Sequence, residues 1–86
     1  MLNVYGVSWC PHCRRTVSFL VENHVDFSYF DIEHQSEAVE RKVIQANGGK
    51  GWVVPTLEFE GKWRPGKPYN EHELRGDLSA WGLVEL

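Results

Sequence analysis

Two cysteines stand three positions apart in SWCPHCRR, residues 8–15, and the chain has no others. Such a pair has three readings: a redox dithiol, half of a metal site, or two small core residues. A thiol attacks only as its thiolate, and at an ordinary pKa of about 8.5 only a few per cent of it is ionised at neutrality. A helix N-terminus favours the anion through its unpaired N–H groups and aligned peptide dipoles, and with nearby cations it can bring a thiol to roughly 3.5–7.5. Pro11 suits the first helical turn, where its missing N–H would have no partner anyway, so Cys10 is predicted at the cap before it. Cys13, one turn further in and on the sheet-facing side, is predicted to be shielded and protonated. Unequal environments imply unequal roles. Cys10 attacks a substrate disulfide to give a mixed disulfide, and Cys13 displaces the reduced product, leaving Cys10–Cys13 oxidised. His12 is expected to stabilise the Cys10 thiolate through its charge or a hydrogen bond, and Arg14 and Arg15 add positive potential in the same turn.

The other two readings lack support in the sequence. Structural zinc takes four ligands, and no second CxxC or closely spaced histidine pair completes the set, since His24, His34 and His72 are scattered. No metal is expected. Trp9 and Pro11 place Cys10 at a surface-facing turn, which speaks against an inert core pair. A bridge closing so short a loop would restrict the unfolded chain little, and two cysteines are too few for a secreted disulfide framework.

The elements that must hold the pair follow from the patterning. LNVYGV (2–7) reads as a strand ended by Gly6 and Ser8. A helix runs from Pro11 to about Asn23 with Cys13, Val17, Leu20, Val21 and His24 on its packed face. DFSYFDIE (26–33) reads as a second strand, and Ser36 caps a helix with a Val39, Val43, Ala46 stripe that stops at Asn47-Gly48-Gly49. Residues 49–66 read as a hairpin, with Leu57 and Phe59 alternating with Glu58 and Glu60 and with Gly61-Lys62 as the turn into Trp63. Asn70 and Glu73 form a capping-box pattern opening a last helix, whose inner face is Leu74, Leu78 and Trp81 and whose stop is Gly82. Strand, helix, strand, helix, hairpin, helix is an α/β order. The first two strands are parallel through their helical crossover and the hairpin is antiparallel, giving a four-stranded mixed sheet with three helices in a single domain, 1–86.

Composition narrows the partners. With 42% hydrophobic and 24% charged residues the chain is predicted to fold. A net charge of -3 and no dense cluster of lysine and arginine offer nothing to a phosphate backbone, so no nucleic-acid partner is expected. No apolar run reaches the ~20 residues a membrane span needs, and MLNVYGVSWC lacks a basic start followed by an apolar core. The protein is expected to be cytoplasmic, without a membrane partner.

WCPHC after the first strand, DIEHQSE with NGG between residues 31 and 49, and VVPT at 53–56 together resemble the glutaredoxin branch of the thioredoxin superfamily over nearly the whole chain. They are most similar to mycoredoxin-type glutaredoxin-like proteins, and KWRPG resembles the ending of the redoxins that serve ribonucleotide reductase. The resemblance implies a thioredoxin-like βαβαββα fold, a monomeric thiol-disulfide oxidoreductase, and Cys10 and Cys13 as its catalytic pair. It also implies a cis Pro55 facing the cysteines, which leaves the Val54 N–H and C=O free to pair with an extended substrate as an added strand would. Trp9, Pro11, His12, Val54 and Pro55 are the substrate-binding set, and Trp52 and Trp63 with Trp9 are candidates for an apolar rim. The reductant is glutathione or, as for the ribonucleotide-reductase type, thioredoxin reductase. No tightly bound cofactor is expected; an alternative the family admits is a [2Fe–2S] cluster held with glutathione between two protomers. The chain departs from glutathione-dependent members at Val7 and Ser8, where a lysine is usual. It departs again at RPGKPYN (64–70), where a Gly-Gly pair opens the helix that holds the γ-glutamyl carboxylate. Lys50, Arg41 and the Asn70 helix start are the remaining candidates for a carboxylate.

Overall fold

The computed structural model describes all 86 residues. Leu2–Gly6 (β1), Pro11–Glu22 (α1), Phe27–Asp31 (β2), Glu37–Ala46 (α2), Thr56–Phe59 (β3), Lys62–Arg64 (β4) and Glu71–Ala80 (α3) appear in the predicted order. The sheet runs β2-β1-β3-β4, with β1 parallel to β2 and antiparallel to β3, and β3 antiparallel to β4. Alternation along β1 sends Leu2 and Val4 to one face and Tyr5 to the other. On the first face they meet Phe19 and Leu20 of α1, Leu74 and Leu78 of α3, and Leu57. Tyr5 and Val7 form a second cluster with Val43 of α2, Ile32, Cys10 and Cys13. The thiols therefore belong to the smaller core, at the end of the sheet where β1 hands over to α1.

Local chemistry explains the element ends. Ser36 accepts the Val39 N–H at the start of α2, and the Gly49 N–H reaches back to the Ile44 carbonyl beyond its end, with Gly48 and Gly49 at positive φ. Asn70 caps α3 through the Glu73 N–H, as the pattern predicts. The Glu73 carboxylate does not return to Asn70 and instead lies 2.9 Å from Lys67 Nζ.

Three expectations need correcting. The packed face of α1 is Cys13, Thr16, Phe19 and Leu20, while Val21 is 60% exposed and His24 lies past the helix end at a φ of 56°. Both stripes have helical spacing, and burying Phe19 removes more apolar surface than burying Val21. The second strand ends at Asp31, whose carboxylate turns to accept the Glu33 N–H and starts a 3₁₀ turn over Ile32–His34. The hairpin turns at Glu60-Gly61, both at positive φ, so that Phe59 pairs with Lys62; residues 49–55 lie outside its strands.

The sequence gives no warning of Arg64, which is 5% exposed. Its Nε lies 2.7 Å from Asp77 Oδ2, and Lys67 approaches the same oxygen at 3.5 Å. Burial alone would raise the Asp77 carboxyl, but the hydrogen bond and charge of Arg64, with Lys67, hold it below the usual range. A lowered carboxyl contributes stability that is present above the unfolded-state value of about 3.9 and is lost as pH falls below it. Asp77→Asn is expected to cost about 1–2 kcal/mol at pH 7, the low end for a charged hydrogen bond because the Asp77 side chain is 40% exposed. Urea unfolding should show the gap between variant and parent narrowing steadily as pH falls below about 3.9; a gap of constant size through the acid range contradicts the assignment.

Candidate active site

The loop Val7–Trp9 carries the chain from β1 to α1, and the Cys10 N–H closes it on the Val7 carbonyl at 3.3 Å. Cys10 is the N-cap of α1 with Pro11 behind it, and its Sγ accepts the Cys13 N–H at 3.3 Å. No acidic residue occupies the first turn of α1. A sulfur thus takes the place of the usual capping oxygen, and the helix directs an amide at it. Capping turns the Cys10 side chain inward, so the residue is 7% exposed, more covered than the surface-facing turn expected for it. Cys13 is 1% exposed. Burial chiefly, together with its neighbour Cys10, pushes the Cys13 thiol from an ordinary 9.0 to about 12, against a backbone contact with Val7 that pulls it down. Both thiols are free.

The Val54–Pro55 peptide bond is cis. Pro55 is buried, and Val54 packs against the cluster that contains both cysteines. Val54 lies outside the strands, and its N–H and C=O take no turn, loop or cap hydrogen bond. The flanking chain is pinned from the side: Thr56 Oγ1 donates to the Val53 carbonyl, Asn47 Nδ2 donates to Thr56 Oγ1 at 2.9 Å, and Asn47 Oδ1 accepts the Gly66 N–H at 2.8 Å.

His12 is placed differently from expectation. Its Nδ1 accepts the Tyr69 N–H at 3.0 Å, which requires a bare nitrogen there and ties the Pro-His turn to the loop before α3. In this arrangement the ring braces the loop and its Nδ1 is engaged away from Cys10. Arg14 reaches the Ser8 carbonyl at 3.3 Å and so folds over the loop that precedes Cys10. Trp9 is 63% exposed beside Cys10, with its indole N–H 3.3 Å from Glu33 Oε1. Trp52 and Trp63 are half-buried on the cluster around the thiols, and Trp63 stacks on Tyr5 at 5.9 Å. Of the carboxylate candidates, Arg41 is engaged by Glu37 at 2.6 Å, Lys50 is exposed, and the Asn70 side chain is spent on its own helix, where Glu71 and Glu73 follow.

No group of three histidine, cysteine or acidic side chains is placed to hold a metal ion. For a [2Fe–2S] cluster the chain offers the two thiols alone, Cys10 7% and Cys13 1% exposed, so such a cluster would draw its remaining ligands from outside this chain. Asn47, Gly66 and Tyr69 escape a sequence reading. Each is legible only as a cap or turn residue, and its reach to a segment far along the chain depends on tertiary packing.

The glutaredoxin family model matches residues 2–63. A crystal structure of a glutaredoxin from Archaeoglobus fulgidus is 33% identical and superposes with a TM-score of 0.69, covering 87% of this chain and 82% of that one. A glutaredoxin from Methanosarcina mazei, 23% identical, shares the fold at a TM-score of 0.70 over 90% of this chain and 76% of its own. A buckwheat glutaredoxin crystallised as a glutathione complex shares it at 0.65 with 19% identity, over 98% and 81%. No curated protein is similar enough to count as a match. A helix-capping Cys10 with Cys13 one turn on, a cis Val54–Pro55 bond and a four-stranded mixed sheet, with matches of this extent, show that the chain has the thioredoxin-like fold and belongs to the glutaredoxin family.

Proposed function

We propose that the protein reduces disulfides or mixed disulfides through its Cys10–Cys13 dithiol, as a monomer in the cytoplasm. The observation that carries the reading is the asymmetry of the pair: an amide points at the Cys10 sulfur, while burial holds Cys13 protonated with its thiol pushed up to about 12. The Cys10 thiolate attacks one sulfur of the substrate and the other sulfur leaves. Cys13 then attacks Cys10 Sγ, the bond to the substrate breaks, and the substrate thiolate takes up a proton as the Cys10–Cys13 bond forms. Trp9 and Val53, 46% exposed, give the substrate an apolar seat, and the Val54 peptide is free to pair with its backbone.

A protein dithiol is the better fit as reductant. In glutathione-dependent relatives the last helix receives the γ-glutamyl carboxylate; here Glu71 and Glu73 occupy that first turn, and the Gly66 and Tyr69 N–H groups are already engaged. The expected result is that thioredoxin reductase with NADPH recharges the oxidised protein faster than glutathione does. Faster reduction by glutathione reverses the choice of donor, and a reduced protein that turns over neither insulin nor a mixed disulfide overturns the activity.

A further inference from the structure

Tyr29 lies on the edge strand β2, opposite Val4 of β1, which makes Gly6 its diagonal neighbour two residues along. Gly6 has no side chain, and the Tyr29 ring uses the space. A Cβ placed on Gly6 would meet the Tyr29 hydroxyl at 2.8 Å, Cys13 Sγ at 3.0 Å and Cys13 Cβ at 3.3 Å. Phenol and resolving thiol therefore flank one point beneath the active-site helix. The hydroxyl is in no hydrogen bond within the protein, to Cys13 or to any other group, and is free to donate. Beside it, a groove of about 480 Å³ lined by Ser8, Cys13, Arg14, Val17, Ser18 and Tyr29 opens to solvent.

We propose that Tyr29 is a positioning residue for the resolving step: its hydroxyl donates a hydrogen bond to Cys13 as that thiol ionises, and the groove gives the departing proton a way to water. The inference rests on the exchange reaction proposed above. Cys13 loses its proton to groove water, its sulfur attacks Cys10 Sγ, the bond from Cys10 to the substrate sulfur breaks, and the released thiolate is protonated from solvent. Tyr29 stays protonated throughout and acts as a donor. Burial first, then negative charge on Cys13, Asp31 and Cys10, raises the phenol above its ordinary value, so a thiolate at Cys13 favours the form that can donate to it. Without such a donor, a thiol this deeply shielded ionises rarely, because a hydrogen bond to a charged acceptor is the main compensation for lost water.

The test is Tyr29→Phe, which keeps the ring. A mixed disulfide of Cys10 with thionitrobenzoate is made on each protein, and its collapse is followed in a single turnover across pH. The expected result is collapse slowed roughly tenfold or more at every pH, with alkylation of Cys10 in the reduced protein unchanged. Carbon NMR of ring-labelled tyrosine supplies a second readout that packing alone would not move: in Cys13→Ser the Tyr29 phenol should titrate lower than in the parent. Unchanged collapse in a folded Tyr29→Phe protein overturns the proposal, as does a Tyr29 titration indifferent to Cys13. If the titration shifts but the parent reduces no physiological disulfide, the proposed function fails while the coupling of Tyr29 to Cys13 stands.

Discussion

Cys10→Ser is expected to abolish exchange with every disulfide, while Cys13→Ser retains the first attack and any reaction that a single cysteine can complete. The inequality follows from what each variant leaves behind. Without Cys10 the remaining thiol is 1% exposed, and burial, the chief cause of its raised value, is still in place. At neutral pH only a minute fraction of such a thiol is ionised. A more basic thiolate attacks faster, but with a Brønsted slope of about 0.4–0.5 that recovers no more than about half, on a logarithmic scale, of what the smaller ionised fraction takes away, so a deficit remains. Limited access deepens it further. Without Cys13 the Cys10 sulfur keeps its place at the helix N-terminus and the amide aimed at it. Stopped-flow reaction with a chromogenic disulfide at pH 7 should show a fast phase in Cys13→Ser and none in Cys10→Ser, and mass spectrometry should find a mixed disulfide accumulating on the former. Comparable rates in the two variants would remove the asymmetry on which the mechanism stands.

That asymmetry was legible before any coordinates because its cause is local: a proline at the first helical position and a spacing of three decide which sulfur caps the helix and which is carried one turn inward. Caps and stops were legible for the same reason, as at Ser36, at Asn47 with its two glycines, and at Asn70. The rotation of α1 was not, since Val17-Val21 and Thr16-Phe19-Leu20 are both acceptable helical stripes and only the shape of the sheet beneath chooses between them. His12 shows a different limit. Its place between the cysteines invites an electrostatic role, yet its ring is claimed by the N–H of Tyr69, fifty-seven residues away. No local pattern encodes that pairing. Tyr29 and Gly6 likewise read as an aromatic and a strand end, and their meeting under Cys13 needs the parallel register of β1 and β2.

Gly66→Ala is expected to destabilise the protein by about 2–4 kcal/mol, the sum of an overpacking cost and a lost buried hydrogen bond. The new Cβ would lie 2.3 Å from the Val53 carbonyl oxygen and 2.5 Å from its carbon, distances that no side-chain rotation relieves because the obstacle is backbone. The loop cannot simply swing away. Its Gly66 N–H is held by Asn47, whose amide also holds Thr56, whose hydroxyl holds Val53. Relief must therefore move residues 53–55, whose Val54 packs against the cluster that contains both thiols, so the folded fraction of Gly66→Ala should also lose exchange activity. Gly76 supplies the contrast. It lies inside α3 with nothing within 4 Å of its would-be Cβ, and the same one-methyl change there should stabilise by about 0.5–1 kcal/mol through helix propensity and a less flexible unfolded chain. Urea midpoints moving in opposite directions would establish that the space beside Val53, and not glycine as such, is what residue 66 provides. A Gly66→Ala midpoint equal to the parent's would show that the loop yields freely and that the bracing of residues 53–55 is weaker than its hydrogen bonds imply.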